Sequence, residues 1–385
     1  MGRIKIFAET PLGEQFGRKD VSLVVAMLLL WGLGFLTLYI STCDYGSRFF
    51  SDSLYFVKRQ GIIELVGLCF VLVLVIIPLE KIRKMLPYIF FGTLILCILT
   101  FIPGISSPRN GASRWIRIPI VGETFQPSEL AKITVVIFLA NWFAKHPQNS
   151  EEKRSSVLFA ILGLVIFVGV VLLQDDFSTG VIIFIVGLTM MTVAGTSILL
   201  ILFLCGATGM GFLLYVSTSP FRLNRLIAFF NPSYDVLGSN YQTNAARTAI
   251  SSGGFWGKGF GSELTQITRV PAIQTDYVFT GWVEAMGFIG VLAYFGLLLF
   301  FAWRAYRFMF ECEDNFRALL LFGLTTTIVL QSVINVGVVC GALPVTGITL
   351  PFFSSGGSSL LASFLICGLM LNVVYRQPPD TDEMY

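Results

Sequence analysis

Long apolar runs alternate with short polar clusters from residue 21 to residue 374, and that rhythm sets the expected fold. Runs of roughly 18 or more apolar residues match the ~30 Å hydrocarbon core of a bilayer. Such a segment satisfies its own backbone polar groups only as a helix. The pattern predicts spans at about 21–40, 61–79, 86–102, 128–144, 157–173, 179–194, 198–216, 277–303, 318–340 and 358–374. The sixth and seventh lie so close that they also read as one bent helix. No strand-like alternation appears, which excludes a barrel. The expected fold is an all-α, polytopic membrane helix bundle of about ten transmembrane helices, with one long extracytoplasmic loop at about 217–276.

Composition agrees with this pattern: 55% of the 385 residues are hydrophobic and 13% charged, far from the balance of soluble domains. The first run is too long for a signal-peptide core and lacks a small-residue cleavage site, so it is expected to be a retained span. Charge orients the bundle. Basic residues collect in the N-terminal segment, at Lys81, Arg83 and Lys84, at Lys145, Lys153 and Arg154, at Arg304, Arg307 and Arg317, and at Arg376. The opposite short loops hold fewer, so the positive-inside rule predicts cytoplasmic termini. The expected organisation is a cytoplasmic segment 1–20, a membrane domain 21–376 that includes the long loop, and a cytoplasmic tail 377–385.

Seven scattered cysteines form no C-x-x-C pair, and the single histidine, His146, lies in a polar loop. A disulfide framework, a zinc site and a histidine-based triad are therefore not expected, and a general base must be a carboxylate. Asp276 is the first candidate, because it stands between a glycine-rich polar stretch (GGFWGKGFG) and an apolar run. It reads either as an N-cap for the helix that follows or as a general base at the mouth of a span. Its cationic neighbours in sequence are Lys258 and Arg269, and Gln274 and Thr275 precede it. Glu284 lies eight residues further on, about 12 Å deeper at 1.5 Å per residue, where a structural pair with a cation is favoured over catalysis.

Three other stretches concentrate polar groups. In GASRWIRIPIVGETFQPSELAK, Pro127 suits a first helical turn, and Glu129 and Lys132 are spaced to pair on one helix face. Lys132, Arg114 and Arg117 are alternatively contacts for an anionic ligand. The adjacent Asp175 and Asp176 of LQDDFSTG are either solvated or ligands for a divalent cation. The glycines of SGGFWGKGFG lack a Walker pattern and read as tight turns whose backbone can approach a ligand closely. Between Asn335 and Ser359, prolines and glycines break the helix, and Thr346, Ser354, Ser355 and Ser358 either meet a polar ligand or cap the loop. The segment PFRLNRLIAFFNP, with Arg222 and Arg225, suits an amphipathic helix at the membrane interface.

Taken in order, the blocks GASRWIRI with QPSELAK, LQDDFSTG, RLIAFFNP with GSNYQ, SGGFWGKGFG, TDYVF with GFIG, and LPVTGITLPFFSSGGSS resemble the SEDS family (shape, elongation, division and sporulation) over nearly the whole chain. The resemblance implies a ten-span glycosyltransferase that polymerises lipid II into peptidoglycan glycan strands on the outer face of the cytoplasmic membrane. By motif, Asp276 matches the family's catalytic aspartate. The resemblance further implies cations on the departing lipid pyrophosphate, with Arg114, Lys132, Lys258 and Arg222 as candidates beside Glu129, Ser354 and Ser358. Glu284, Gln274 and Thr275 take supporting roles. No metal-ligand set is identified, although a divalent cation, Mg or Mn, is a candidate cofactor.

The sequence departs from the family pattern at Ala272 and Gln274, where an acid and a histidine are usual, and at Asp175, Ala285 and Ser355. GSNYQ and LPVTGITLPF lean towards the division and sporulation branch, while QPSELAK and GKGFG also suit elongation. Expected partners are lipid II, a class B penicillin-binding protein acting as transpeptidase, and other divisome or elongasome membrane proteins, with no nucleic acid. The rival functions are a lipid II flippase and a non-catalytic divisome scaffold.

Overall fold

The computed structural model describes residues 21–108, 112–117, 124–146, 153–218, 220–231, 240–260 and 270–375. The segments 1–20 and 376–385, and with them the expected terminal tails, lie outside the described residues, as do Arg109, Arg269 and the side chain of Arg222.

Each predicted span coincides with one long helix. These are α1 (Ser22–Phe50), α2 (Tyr55–Ile76), α3 (Leu79–Leu99), α4 (Pro127–Lys145), α5 (Lys153–Leu173), α6 (Phe177–Val193) and α7 (Ile198–Ser217). After two short helices, α8 (Pro220–Phe230) and α9 (Tyr241–Gly253), come α10 (Val278–Glu311), α11 (Asn315–Val339) and α12 (Gly357–Tyr375). Among the described residues seven helices are long and apolar enough to cross a membrane, and α6 and α7 contribute shorter apolar stretches. Between α3 and α4, β1 (Ile116–Arg117) and β2 (Thr124–Phe125) form a small antiparallel ladder that the sequence pattern does not suggest.

Several boundaries differ from the hydrophobic runs. The first helix continues ten residues past 40 and stops at Ser51, whose left-handed backbone donates its N–H to Gly46. Its polar end is held by aromatic contacts, Phe50 stacking on Tyr55 at 4.0 Å, in the manner of an interfacial belt. Helix α3 begins at Leu79 rather than near 86 and carries Pro87 in its third turn. A bend at Gly195, with φ of 91°, separates α6 from α7, so the pair is two helices rather than one.

The bundle is layered by exposure. Helices α4 and α11 are buried on most faces and pack on each other, with α6 beside them. Helices α2, α3 and α7 present Leu, Ile, Val and Phe outward, as lipid-facing helices do. Helix α12 packs on α2, and α1 on α10.

Helix α10 is not continuous. Gly287 adopts φ 63° and ψ −159°, a region essentially open only to glycine, and divides the helix into an outer and an inner part. The glycine-rich stretch after α9 fills the break. Lys258 and Gly259 donate their N–H groups to the carbonyls of Glu284 and Ala285 at 3.0 and 2.9 Å, and Phe288 donates to Gly254 at 3.0 Å. The indole of Trp282 donates to the carbonyl of Gly290 at 2.8 Å. Backbone groups freed by the break are thus satisfied within the protein, which is the condition for irregular backbone at membrane depth. The expected close approach of these glycines is made to α10 itself: a Cβ on Gly257 would collide with the backbone of Ala285 and Met286, and one on Gly287 with Gly257 and Phe255.

This predicts a strong local sensitivity to side-chain volume. Gly287→Ala adds backbone strain of about 1–3 kcal/mol and overpacking of similar size. Its unfolding midpoint in detergent should fall by several degrees. Gly296→Ala, at a helical position with open space around it, should leave the midpoint unchanged or slightly raised.

Candidate active site

Asp276 lies two residues ahead of α10, in a run of turns in which Ala272 takes a left-handed backbone, φ 53°. The cap position of α10 belongs to Tyr277, and no side chain caps that end, so the N-cap reading of Asp276 is corrected. The turn is pinned from outside. The Asn335 amide on α11 donates to the carbonyl of Asp276 at 2.8 Å and to that of Ile348 at 2.6 Å. The Ser355 N–H donates to the carbonyl of Gln274 at 2.8 Å, and both the N–H and the hydroxyl of Thr275 go to the Ala272 carbonyl. The main chain around Asp276 is therefore fastened to the broken stretch between α11 and α12.

With its backbone held, the half-buried carboxylate faces the space above Gly347. A Cβ built on that glycine would stand 3.5 Å from Oδ2 of Asp276 and 4.0 Å from Nη2 of Arg114. Burial pushes the Asp276 carboxyl up to about 6, while Arg114, a Thr275 hydrogen bond and Arg225 pull it down. Burial, and then the like charge of Arg114, hold the Arg225 guanidinium below its ordinary value.

Arg114 is fixed by a second acid. Its Nη1 lies 3.3 Å from Oδ1 of Asp176, and the guanidinium sits 4.4 Å over the Trp115 ring. Asp176 also accepts from Gln126 Nε2 and Ser128 Oγ, each at 2.7 Å. Asp176 is buried, whereas Asp175 has a left-handed backbone and is exposed, so the adjacent acids do not converge on one cation. Among the described residues no three His, Cys, Asp or Glu side chains gather to hold a metal. Asp276 and Asp176 each face a guanidinium.

The remaining sequence candidates are placed elsewhere. Glu129 and Lys132 pair at 2.9 Å inside the bundle, and Lys132 also donates to Gln331 at 2.6 Å. Gln331 continues this chain of bonds to the Thr349 carbonyl at 3.0 Å. Lys258 pairs with the fully buried Glu284 at 2.9 Å, joined by the Ser252 hydroxyl at 3.2 Å. That is the structural pair expected for Glu284, and it draws Lys258 to Glu284 rather than to Asp276. Ser354 accepts the N–H of Leu350 at 2.7 Å. Ser358 accepts from Gln126 at 3.0 Å and donates to Thr124 at 3.3 Å. Both hydroxyls hold loops together.

Two residues of the site were not selected from sequence. Arg225 lies one turn beyond Arg222 on the same amphipathic helix, and Asn335 opens the broken stretch, so both stood inside recognised segments without a signal that singled them out.

A family model described as cell cycle protein, FtsW/RodA/SpoVE, matches residues 21–378. A probable peptidoglycan glycosyltransferase FtsW from Geobacter sp. (strain M18) is 33% identical over 357 residues, covering 93% of this chain and 97% of the relative. Stage V sporulation protein E from Bacillus subtilis (strain 168) is 33% identical over 359 residues, covering 92% and 96%. A chain from a solved structure described as "Structural coordination of polymerization and crosslinking by a peptidoglycan synthase complex" superposes with a TM-score of 0.74 at 25% identity, over 92% of this chain and 97% of that one. The crystal structure of the Thermus thermophilus rod shape determining protein RodA shares the fold, with a TM-score of 0.68 at 24% identity over 92% and 96%. With relatives a third identical over more than nine-tenths of its length and a family match spanning the whole bundle, the chain belongs to the FtsW/RodA/SpoVE family of cell cycle proteins.

Proposed function

We propose that this chain is a peptidoglycan glycosyltransferase that transfers the growing glycan from its lipid pyrophosphate carrier to a sugar hydroxyl of lipid II. The observation that carries the reading is the placement of Asp276: a carboxylate held by its backbone, flanked by Arg114 and Arg225, and facing the space over Gly347. Asp276 removes the proton from the acceptor hydroxyl as its oxygen attacks the anomeric carbon of the donor. The bond from that carbon to the carrier diphosphate breaks, and the leaving group departs as an anion that guanidinium groups stabilise. Relatives named peptidoglycan glycosyltransferase FtsW support the activity and a role in cell division. In this reading the termini are cytoplasmic and the site is extracytoplasmic, as the distribution of basic loops favours. The partner is a class B penicillin-binding protein that cross-links the strands, with other divisome or elongasome membrane proteins around the pair.

The test is lipid II polymerisation by the purified protein with its partner. Asp276→Asn keeps the shape and removes the base, and should lower the rate by about 10²-fold or more. Full polymerisation by that variant refutes the assignment. Lipid II crossing vesicle membranes, with no polymer from either protein, points to a flippase.

The activity should also depend on pH in a stated direction. Asp276 acts as a base only when deprotonated, so the rate should rise with pH through about 6 and then level. A profile flat from pH 5 to 8 contradicts this.

Asn335→Leu frees the carbonyls of Asp276 and Ile348 together. Misplacing the carboxylate should cost roughly tenfold or more in rate and move the midpoint of the pH profile, whereas a loss of protein yield alone would mark Asn335 as purely structural.

A further inference from the structure

Four acids are buried among the described residues, and one of them meets no cation. Glu129, Asp176 and Glu284 each have a lysine or arginine nitrogen within 3.3 Å, whereas Glu64 on α2 is 4% exposed and makes no ion pair with a described residue. Its span begins at Tyr55, which puts Glu64 about 14 Å along the helix at 1.5 Å per residue, near the middle of a ~30 Å core. The helices packed on α2 supply no charge there. No Asp, Glu, Lys or Arg occurs on α1 between Ser22 and Cys43 or anywhere along α12. Asp44 and Arg48 stand at the outer end of α1, as do Lys58 and Arg59 on α2, where Lys58 is engaged by Asp52 at 2.7 Å. The other titratable groups inside these spans are Tyr39 and Cys43 on α1, Cys69 on α2 and Cys367 on α12, and none is a cation.

The partner Glu64 does have is a carboxamide. Gln60, one turn earlier and 1% exposed, donates Nε2 to Oε1 of Glu64 at 3.0 Å. The other end of that amide, Gln60 Oε1, is buried and receives no hydrogen. An ionised carboxylate has none to give it. A carboxylic acid does: its O–H meets Gln60 Oε1 while its carbonyl accepts from Nε2, which closes a ring of two bonds between side chains four apart on one helix face. That face is the buried stripe of α2, Phe56, Gln60, Glu64, Gly67 and Val71, and a Cβ on Gly67 would collide with the Phe364 ring of α12. Trp31 on α1 turns its indole N–H toward the same carboxyl and its ring edge-on to Phe364 at 5.2 Å, so three helices meet at this acid.

We infer that Glu64 is a proton-holding site, whose neutral carboxyl donates to Gln60 Oε1 and accepts from Gln60 Nε2, and that this ring seals the junction of α2 with α1 and α12. The ligand is a single proton. Its removal leaves a charge at mid-membrane that no described side chain of these helices meets, and a buried charge of that kind is costly. The seal therefore holds at neutral pH and weakens as the medium turns alkaline. The site lies outside the groups around Asp276 and is joined to them only through α12, whose first turn carries Ser358, bonded to Gln126 and Thr124, and Ser359, bonded to Thr349. Gly357, at the head of that helix, faces Ile63, the residue before Glu64.

The experiment is infrared spectroscopy of the purified full-length protein in an ester-free maltoside detergent, where a protonated carboxyl shows a C=O band of its own. At about pH 8 ordinary carboxyls are ionised. A band is nevertheless expected in wild type, lost in Glu64→Gln, kept in Asp276→Asn, and moved to higher wavenumber in Gln60→Leu, which removes the bond to its carbonyl. Glu64→Gln puts an amide N–H where the acid O–H stood, so its unfolding midpoint should equal that of wild type at neutral pH. On going alkaline the wild-type midpoint should fall below that of Glu64→Gln. No band in wild type, as when the carboxyl is ionised and a water bridges it to Gln60, overturns the site. So does a band that survives Glu64→Gln. A band unmoved by Gln60→Leu overturns the ring, and midpoints of wild type and Glu64→Gln that fall in parallel overturn the proton-dependent seal. Where Gln60→Leu yields no folded protein, the spectra of wild type and Glu64→Gln decide.

Discussion

A charge inside an apolar bundle is costly without a partner, and this constraint arranges much of the molecule. Glu129 meets Lys132 within α4, Glu284 meets Lys258 across the break in α10, and Asp176 meets Arg114 beneath the small ladder. Each pair also draws neutral donors or acceptors from another segment: Gln331 on α11, Ser252 on α9, Gln126 and Ser128 at the head of α4. These bonds knit together helices that lipid-like packing alone would align only loosely. Against that background Asp276 differs, because Arg114, the cation it feels most, is shared with Asp176.

The same accounting governs the backbone. Among the described residues, the break at Gly287 and the run between α11 and α12 leave helical geometry within the bundle. The first borrows its hydrogen bonds from the glycine-rich loop, and the second from Asn335, Gln331 and Ser354. Asp276 lies where the two systems meet, so its position is over-determined even though it belongs to a turn.

Much of this was legible in the chain, for physical reasons that differ by residue. The long spans follow from apolar length, because a bilayer fixes how long a span must be. The Glu129–Lys132 pair follows from helical spacing. Gly287 gave no sign, since isolated glycines are common in membrane helices and only the approach of Gly257 turns this one into a break. That break also defeats the reading of Lys258 as a neighbour of Asp276: proximity in sequence lost to a buried carboxylate three-dimensionally closer. Arg225 gave no signal of its own, because it stands among apolar neighbours in the same amphipathic stretch as Arg222.

The interruption at Gly287 has a mechanical side. Helix α10 transmits force as a rod only while its ladder of bonds is unbroken, and here the outer nine residues, Val278 to Met286, accept bonds from the glycine loop at the carbonyls of Glu284 and Ala285. A joint of this kind is where any bend between the stub and the inner length, which runs to Glu311, concentrates. The carboxylate thus stands in the turn that leads into a short, separately braced stub, set apart by that joint from the long inner helix.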